Sequence, residues 1–370
     1  VCSSDLLNNK GKTMKKISKL LVGILFSALV VAPSYAGELA VTGGATATYT
    51  IGGDDSGSGK NLGISNELDF TASGELDNGY TWSYAQDIDG ATVQDDAKLT
   101  MTTPYGTVGA FVSEGSLSAK YGFDASAYAP GSDYGFTSGT TGGTVTAGTA
   151  GFTYGNNISS YNNLQYHTPA DALPYSTSIK IGFAPEANGA LNSSNATGTQ
   201  VEGVGSVTEG KITTSPIDGL TLNASYIEKS DESGSPKVIQ TYEGGSITGK
   251  YAINALTIGL GRTIHAPTHQ AKTAGTEYIQ HYENTAVSIG YAVNDALSVS
   301  YTNEESTAHK VNKDVDDTTT EGNVDFEIEA IQAAYTMGGM TLSVAHKSLN
   351  NSDYTLNKDH KHTILAVQMA

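Results

Sequence analysis

Hydrophobic and polar residues alternate with a period of two along most of the chain, most clearly in residues 285–302 (TAVSIGYAVNDALSVSYT). Val287, Ile289 and Tyr291 belong to one face of an extended strand, and small or polar residues occupy the opposite face. Asn294 begins a turn, because its short side chain bonds to nearby backbone groups and tolerates left-handed dihedrals. The alternation then resumes, so the segment predicts an antiparallel β-hairpin.

The same alternation recurs through residues 37–370 and predicts 16 strands. The predicted strands are residues 39–51, 62–72, 80–85, 97–103, 107–113, 163–168, 175–183, 206–214, 220–227, 242–252, 256–263, 285–292, 297–302, 326–335, 340–347 and 360–370. Seven short turns and eight longer polar connections alternate between them. An even number of antiparallel strands can close into a barrel without an unpaired edge.

Tyrosines recur on the apolar face of the predicted strands, mostly near a turn or a loop. They are Tyr80, Tyr226, Tyr251, Tyr291, Tyr301 and Tyr335. A soluble β-sandwich or a repeat adhesin would have loops of similar length at both ends and no such systematic tyrosines. Aromatic girdles at a lipid–water boundary have this distribution. We therefore predict an all-β fold, a 16-stranded antiparallel transmembrane β-barrel.

The beginning of the chain has the features of an export signal. Residues 1–13 lack a structural pattern and contain the only cysteine, and we interpret them as non-native sequence upstream of Met14. Residues 14–36 combine a lysine-rich head, an apolar run and a small-residue cleavage site, as a signal peptide does. The apolar run is shorter than the roughly 20 residues of a membrane-spanning helix. We expect cleavage to leave residues 37–370 as the barrel domain.

The expected mature chain is strongly acidic. Without residues 1–36 it has 15 basic and 37 acidic residues, a net charge of −22. Phosphate binding needs a basic patch, so this balance argues against nucleic acid as a partner.

Residues 114–162, here called the long loop, interrupt the alternation for 49 residues. Loops longer than about 12–15 residues are uncommon and are usually functional or disordered. This segment has few large apolar side chains with which to form its own core. We therefore expect it to fold into the barrel lumen, where polar wall groups can bond to its backbone.

Taken together, the segments resemble the trimeric general-diffusion porins of Gram-negative outer membranes. The segments on which this resemblance rests are the signal peptide, the hairpins ELDNGYTWSY (75–84) and TPYGTVGAF (103–111), the long loop and the last strand. The resemblance implies a homotrimer in contact with outer-membrane lipid and lipopolysaccharide. It also implies insertion by the barrel assembly machinery, and passive diffusion of small hydrophilic solutes and ions.

The last strand, KHTILAVQMA, puts Thr363, Leu365, Val367 and Met369 on the predicted lipid face. Porins of this type usually end this series with a phenylalanine that the assembly machinery reads. We therefore expect a terminal phenylalanine beyond Ala370.

Alternate residues of a strand point to opposite faces, and this parity places several charged residues on the lumen side. They are Glu67, Asp69, Lys98, Lys180, Lys211 and Lys250. In the porins that the chain resembles, carboxylates of the third loop face a cluster of basic wall residues, and Glu114, Asp124 and Asp133 occupy the matching loop here. The chain departs from that pattern, because it has a single arginine, Arg262. We therefore predict a negative constriction with a preference for cations. The alternative for each lysine is an ordinary solvated wall residue, since any polar lumen tolerates lysine.

Two histidine pairs, His265 with His269 and His360 with His362, have spacings that could hold a metal, but no cysteine joins them and we predict no metal site. Acidic pairs in predicted loops are either simply solvated or bind Ca²⁺ or Mg²⁺ loosely. These pairs are Asp54-Asp55, Asp95-Asp96, Glu304-Glu305 and Asp316-Asp317.

No nucleophile triad or nucleotide fingerprint appears in a supporting context, so we expect no enzyme activity. The favoured hypothesis is a passive porin that carries small polar solutes and no cofactor. A substrate-selective outer-membrane channel and a surface-exposed β-rich adhesin stay open as alternatives.

Overall fold

The computed structural model describes residues 39–52, 61–89, 92–132, 152–185, 205–230, 238–270, 278–311 and 323–369. These residues form a closed antiparallel barrel of 16 strands, together with a separate two-stranded sheet of Val238–Gln240 and His269–Gln270. No helix among them is both long and apolar enough to cross a membrane. The only helical segments described are short 3₁₀ turns at Ile158–Ser160 and Ser352–Tyr354.

Sixteen of the eighteen described strands follow one another in chain order around the barrel, and the other two form the separate sheet. The described strands are β1 (Leu39–Gly52), β2 (Asn61–Glu75), β3 (Thr81–Asp89), β4 (Thr92–Thr103), β5 (Gly106–Val112), β6 (Asn163–His167), β7 (Ser178–Ala184), β8 (Val207–Thr214), β9 (Leu220–Lys229), β10 (Val238–Gln240), β11 (Glu243–Ile253), β12 (Leu256–Ala266), β13 (His269–Gln270), β14 (Tyr278–Ala292), β15 (Leu297–Val311), β16 (Val324–Met337), β17 (Met340–Asn350) and β18 (His360–Met369).

The first and last strands close the barrel. β1 pairs with β2 on one side, where Thr42 lies opposite Asp69, and with β18 on the other, where Ala45 lies opposite Met369. Closure gives both edges of β1 a hydrogen-bonding partner. The predicted barrel and its strand number are therefore confirmed.

Alternation along each strand separates an apolar outer face from a polar inner face. On β14, Val287, Ile289 and Tyr291 are exposed, whereas Ser288 between them is fully buried. The predicted tyrosines Tyr226, Tyr251, Tyr291, Tyr301 and Tyr335 are all exposed on the outer face. Inside-out burial of this kind suits a barrel whose outer surface contacts an apolar medium.

The buried apolar clusters lie inside the barrel, where the long loop meets the wall. One joins Leu117 and Ile158 of the loop to Val207, Ile227 and Tyr242 of the wall. A second gathers residues of β15, β16 and β17 around Phe326, with Phe152 of the loop packed against it. The loop therefore supplies apolar anchors as well as backbone groups, which its composition did not suggest.

Two predicted loops are strand. Glu304 and Glu305 lie within β15 rather than in a loop, and most of residues 86–96, which separate the predicted strands 80–85 and 97–103 and contain Asp95 and Asp96, belong to β3 and β4. The sequence pattern did not predict these strand segments, because their outward residues near the loop-side ends are polar. The alternation of apolar residues therefore stops before the backbone hydrogen bonds between the strands do. The predicted upstream segment, the signal peptide, Asp54, Asp55, Asp133, Asp316, Asp317 and Ala370 lie outside the described residues.

Candidate pore constriction

The first limb of the long loop, residues 114–132, runs across the inner face of the barrel. Hydroxyl groups of wall residues accept hydrogen bonds from its backbone. The Ala119 and Ala127 amides donate to Ser225 and Ser300 Oγ, each at 2.8 Å. The Ala125 amide donates to Ser288 Oγ at 3.0 Å. Small hydroxyl residues at inward positions thus replace the strand partner that an extended loop lacks.

Gln332 on β16 binds the same limb with its side-chain amide. Its Oε1 accepts from the Tyr128 and Ala129 amides at 2.9 and 3.0 Å, and its Nε2 donates to the Ala129 carbonyl at 2.5 Å. The Gln332 side chain is buried, so loss of these three bonds would leave polar groups unsatisfied in the interior.

Two buried polar side chains, Lys347 and Glu304, hold the next turn of the loop. Lys347 Nζ on β17 donates to the Pro130 and Gly131 carbonyls at 2.9 and 3.2 Å. Glu304 on β15 accepts from the Ser132 amide at 2.9 Å. Both side chains are fully buried, and their hydrogen bonds to the loop offset part of the cost of burying polar groups.

Glycines let the loop lie directly on the sheet. A Cβ at Gly259 would overlap the Phe123 carbonyl, and one at Gly290 would overlap the Ala125 carbonyl. Both glycines occupy inward positions beneath the loop, so a side chain there would push it off the wall.

The second limb of the long loop, residues 152–162, returns along the same wall. The Ile158 amide donates to Glu209 Oε2 at 2.6 Å, and the Asn156 amide donates to the Tyr242 hydroxyl at 2.7 Å. Tyr154 donates its hydroxyl to Glu304 at 2.5 Å. Glu304 therefore holds both limbs at once.

Burial changes the titration of two loop side chains. It lowers the pKa of the Lys120 ammonium, although the Glu209 carboxylate acts in the opposite direction. It raises the pKa of the Tyr154 hydroxyl well above its ordinary value, and Glu304 adds to that rise. Tyr154 therefore stays protonated as the donor to Glu304, while Lys120 donates to the Gly155 carbonyl at 2.9 Å and links the two limbs.

The predicted lumen lysines all lie on inward positions, but three of them hold the loop. Lys98 pairs with Glu114 at 3.0 Å, at the point where the loop leaves β5. Lys211 and Lys250 donate to the loop carbonyls of Ser118 and Asp124, each at 3.2 Å. Lys180 lies directly opposite Lys211 in the β7–β8 register.

The predicted loop acids have different positions. The Asp124 carboxylate accepts from the Ser126 amide at 3.0 Å and so stabilises a local turn. Asp133 lies outside the described residues. The single arginine, Arg262, is exposed on the outer face of β12 and takes no part in the lumen.

An acidic group lies on the wall formed by β2 and β3. Carboxylate oxygens of Glu67, Asp69 and Asp87 lie within 4.8 Å of one another. With Lys98 and Glu114 they line an open cleft of about 250 Å³. The acidic group therefore lies beside the start of the long loop, where Lys98 and Glu114 form their ion pair.

The two predicted histidine pairs do not form clusters. His265 is buried in β12 and stacks on Tyr282, with ring centroids 4.8 Å apart. His269 lies in β13, outside the barrel. His362 is buried on an inward position of β18, and neither it nor His360 joins a group of three ligands among the described residues.

Sequence reasoning missed the principal loop anchors, although the signal was present. Parity alone places Glu304, Gln332 and Lys347 on inward faces, because their neighbours Tyr301, Ile331 and Val344 are outward. What parity cannot give is the contact across the barrel, since Lys347 and Gly131 are 216 residues apart in sequence.

No protein-family model matches the sequence, and no curated protein matches it either. Solved structures do share its fold. OmpTdeltaL8, a loop L8 deletion mutant of OmpT, which is an outer membrane protein of Vibrio cholerae, is 13% identical, with 90% of this chain and 99% of that chain covered and a TM-score of 0.62.

Two porins give similar values. An anion-selective porin from Comamonas acidovorans is 10% identical, with 90% of this chain and 99% of that chain covered and a TM-score of 0.59. Salmonella typhi OmpF, in a complex with daunomycin, is 14% identical, with 90% and 98% covered and a TM-score of 0.56. At such identities the likeness shows the fold alone, which is that of the 16-stranded porins.

Proposed function

We propose that this protein is an outer-membrane porin, a water-filled channel through which small hydrophilic solutes and ions diffuse passively. The observation that carries the proposal is the pairing of an apolar outer face with a loop bound to the polar inner wall. A 16-stranded barrel has a lumen too wide to be filled by wall side chains, and a loop along the wall narrows it. We further propose that three copies assemble, as trimeric porins of this fold do.

We also propose that the channel prefers cations. The support is the group of Glu67, Asp69 and Asp87, whose carboxylates lie close together in a cleft next to the start of the long loop. Carboxylates that crowd one side of a passage create a negative potential, and rings of charge at a constriction set ion preference. The fold alone does not decide the sign, since one of the structures that it matches is an anion-selective porin.

Planar-bilayer recordings test both parts of this proposal. We expect single channels with a stable conductance, and a reversal potential in a KCl gradient that reports cation preference. Neutralising the acidic group with Glu67→Gln and Asp69→Asn should move the reversal potential toward zero, and Glu75→Gln, an exposed carboxylate at the end of β2, is the matched control. Absence of channels would contradict the porin proposal, whereas channels with an unchanged reversal potential would contradict only the assigned cation site.

The proposal includes the absence of catalysis. It is supported by the engagement of the inward carboxylates Glu209 and Glu304, whose oxygens accept from loop amides and from a tyrosine hydroxyl. A folded preparation should therefore leave peptide and ester substrates intact. Hydrolysis that persists in the Glu209→Gln and Glu304→Gln variants would point to a different site.

A further inference from the structure

Three potential metal ligands meet on the outer face of the barrel, near the loop-side ends of β14 and β15. His281 and Glu283 are two residues apart on β14, and His309 lies directly opposite His281 on β15. One ligand atom from each lies within 4.8 Å of the other two. All three side chains are partly exposed, so an ion can reach them from solvent.

The cluster is separate from the lumen. On β14, His281 and Glu283 alternate in step with the exposed Val287 and Ile289 and out of step with the inward Ser288. On β15, His309 lies opposite His281 and alternates in step with the exposed Tyr301. A group bound here would therefore sit on the outside of the barrel wall and would not obstruct the passage.

The two imidazoles are arranged side by side. Their ring centroids are 4.2 Å apart and their planes are inclined by 16°. Two stacked imidazoles gain little from each other, and they would repel if both were protonated. Neutral imidazoles that share a divalent cation would instead be held together by it.

The carboxylate is oriented toward the same point. Glu283 Oε2 lies 3.7 Å from His309 Nε2, while Glu283 Oε1 is occupied by the Arg262 guanidinium. Arg262 thereby fixes the carboxylate with its second oxygen directed at His309. Hydrogen bonds from neighbouring groups commonly orient metal ligands in this way.

A fourth residue can set the tautomer of His309. The side-chain amide of Asn323 lies 3.1 Å from His309 Nδ1. Because an asparagine amide can present either its nitrogen or its oxygen, the oxygen can accept from Nδ1–H and leave the Nε2 lone pair for an ion.

We propose that His281, Glu283 and His309 form a binding site for a first-row divalent transition metal such as Zn²⁺. Two imidazole nitrogens and one carboxylate oxygen suit such ions, and a water molecule can complete a tetrahedron. Ligand atoms around tetrahedral Zn²⁺ are about 3.4 Å apart, so rotation of the two imidazoles closes the present separation. The bound ion would join β14 to β15 next to the irregularity in their register between Ile279 and His281.

Calorimetric titration of the folded full-length barrel in detergent, prepared without a polyhistidine tag, tests the proposal with Zn²⁺ as the probe. We expect one saturable site per chain, and His281→Ala or His309→Gln should weaken it about tenfold or more. Glu283→Gln should weaken it as well, because it removes the anionic ligand.

Two matched variants separate this site from general surface binding. His346→Ala removes an exposed outward histidine of β17, and Glu305→Gln removes an exposed outward carboxylate of β15. Both should bind Zn²⁺ like the unaltered protein. Retained mobility shift on boiling shows that each variant is folded.

Several results would overturn the proposal. One is absence of saturable Zn²⁺ binding in the unaltered protein. Another is equal affinity in the folded His281→Ala and His309→Gln variants, or an equal loss in His346→Ala. If Ca²⁺ competes with Zn²⁺ at equal concentration, the ligands are surface carboxylates and the imidazoles do not contribute.

Discussion

At the scale of single residues, strand parity fixes the direction of a side chain, but it does not fix which substitutions the position tolerates. Ile289 is outward and exposed, as the alternation predicts. Ser288 is inward, and as a lumen residue it would be expected to accept an arginine. In the structure it is fully buried and accepts from the Ala125 amide, so that expectation is wrong. The sequence gives the direction of a side chain and does not show which inward sites the loop covers.

A charged residue introduced on the outer face should therefore lower the stability of the barrel. One introduced at an inward site that the long loop does not cover should not. Ile289→Arg is expected to reduce the free energy of unfolding by about 2–4 kcal/mol if the site lies near the bilayer midplane. Thr336→Arg is the control, because this inward residue of β16 is exposed at the short-turn end. Urea unfolding in lipid vesicles measures both, and equal stability of the two variants would contradict the assignment of the faces.

At the scale of elements, the strands follow from the sequence, whereas the path of the long loop does not. A period of two and turn residues such as Asn294 locate all 16 barrel strands, since both are local properties. The contact between His281 and His309 needs the register of β14 on β15, and the contact of Gln332 with Ala129 spans 203 residues. Such distant pairs leave no periodic trace in one sequence, so the candidate site was predicted only in part.

Gln332 should be a principal anchor of the loop. Gln332→Ala removes three hydrogen bonds to Tyr128 and Ala129, and leaves their backbone groups to find other partners. A cost of about 1–3 kcal/mol for each group left unsatisfied is enough to release this part of the loop.

Single-channel recordings should show a larger or noisier conductance for Gln332→Ala than for the unaltered protein. Gln368→Ala, at an exposed position on β18, should not change the conductance. If the conductance of Gln332→Ala and its noise are both the same as in the unaltered protein, the remaining contacts hold the loop without this side chain.

At the scale of the whole molecule, closure is the feature on which stability depends. Every barrel strand has two neighbours, and β1 with β18 forms the pairing that completes the circle. Backbone groups in a closed barrel satisfy one another, which lets it persist in an apolar medium.

The purified protein should therefore stay folded in detergent and migrate differently in gel electrophoresis before and after boiling. A trimer should appear as a slower band in the unboiled sample, and cross-linking should give the same species. Extraction without detergent, together with the absence of a boiling-dependent shift, would contradict a membrane barrel.

The anchoring of the long loop also has a consequence for biogenesis. The loop is synthesised early, between β5 and β6, yet Glu304, Gln332 and Lys347 reach it from strands made near the end of the chain. Contacts of such large sequence separation form late, because the intervening chain must be ordered first. In the proposed porin, a partly assembled barrel would consequently leave a wide opening, and the barrier to permeation would be complete only once the last third of the chain is in place.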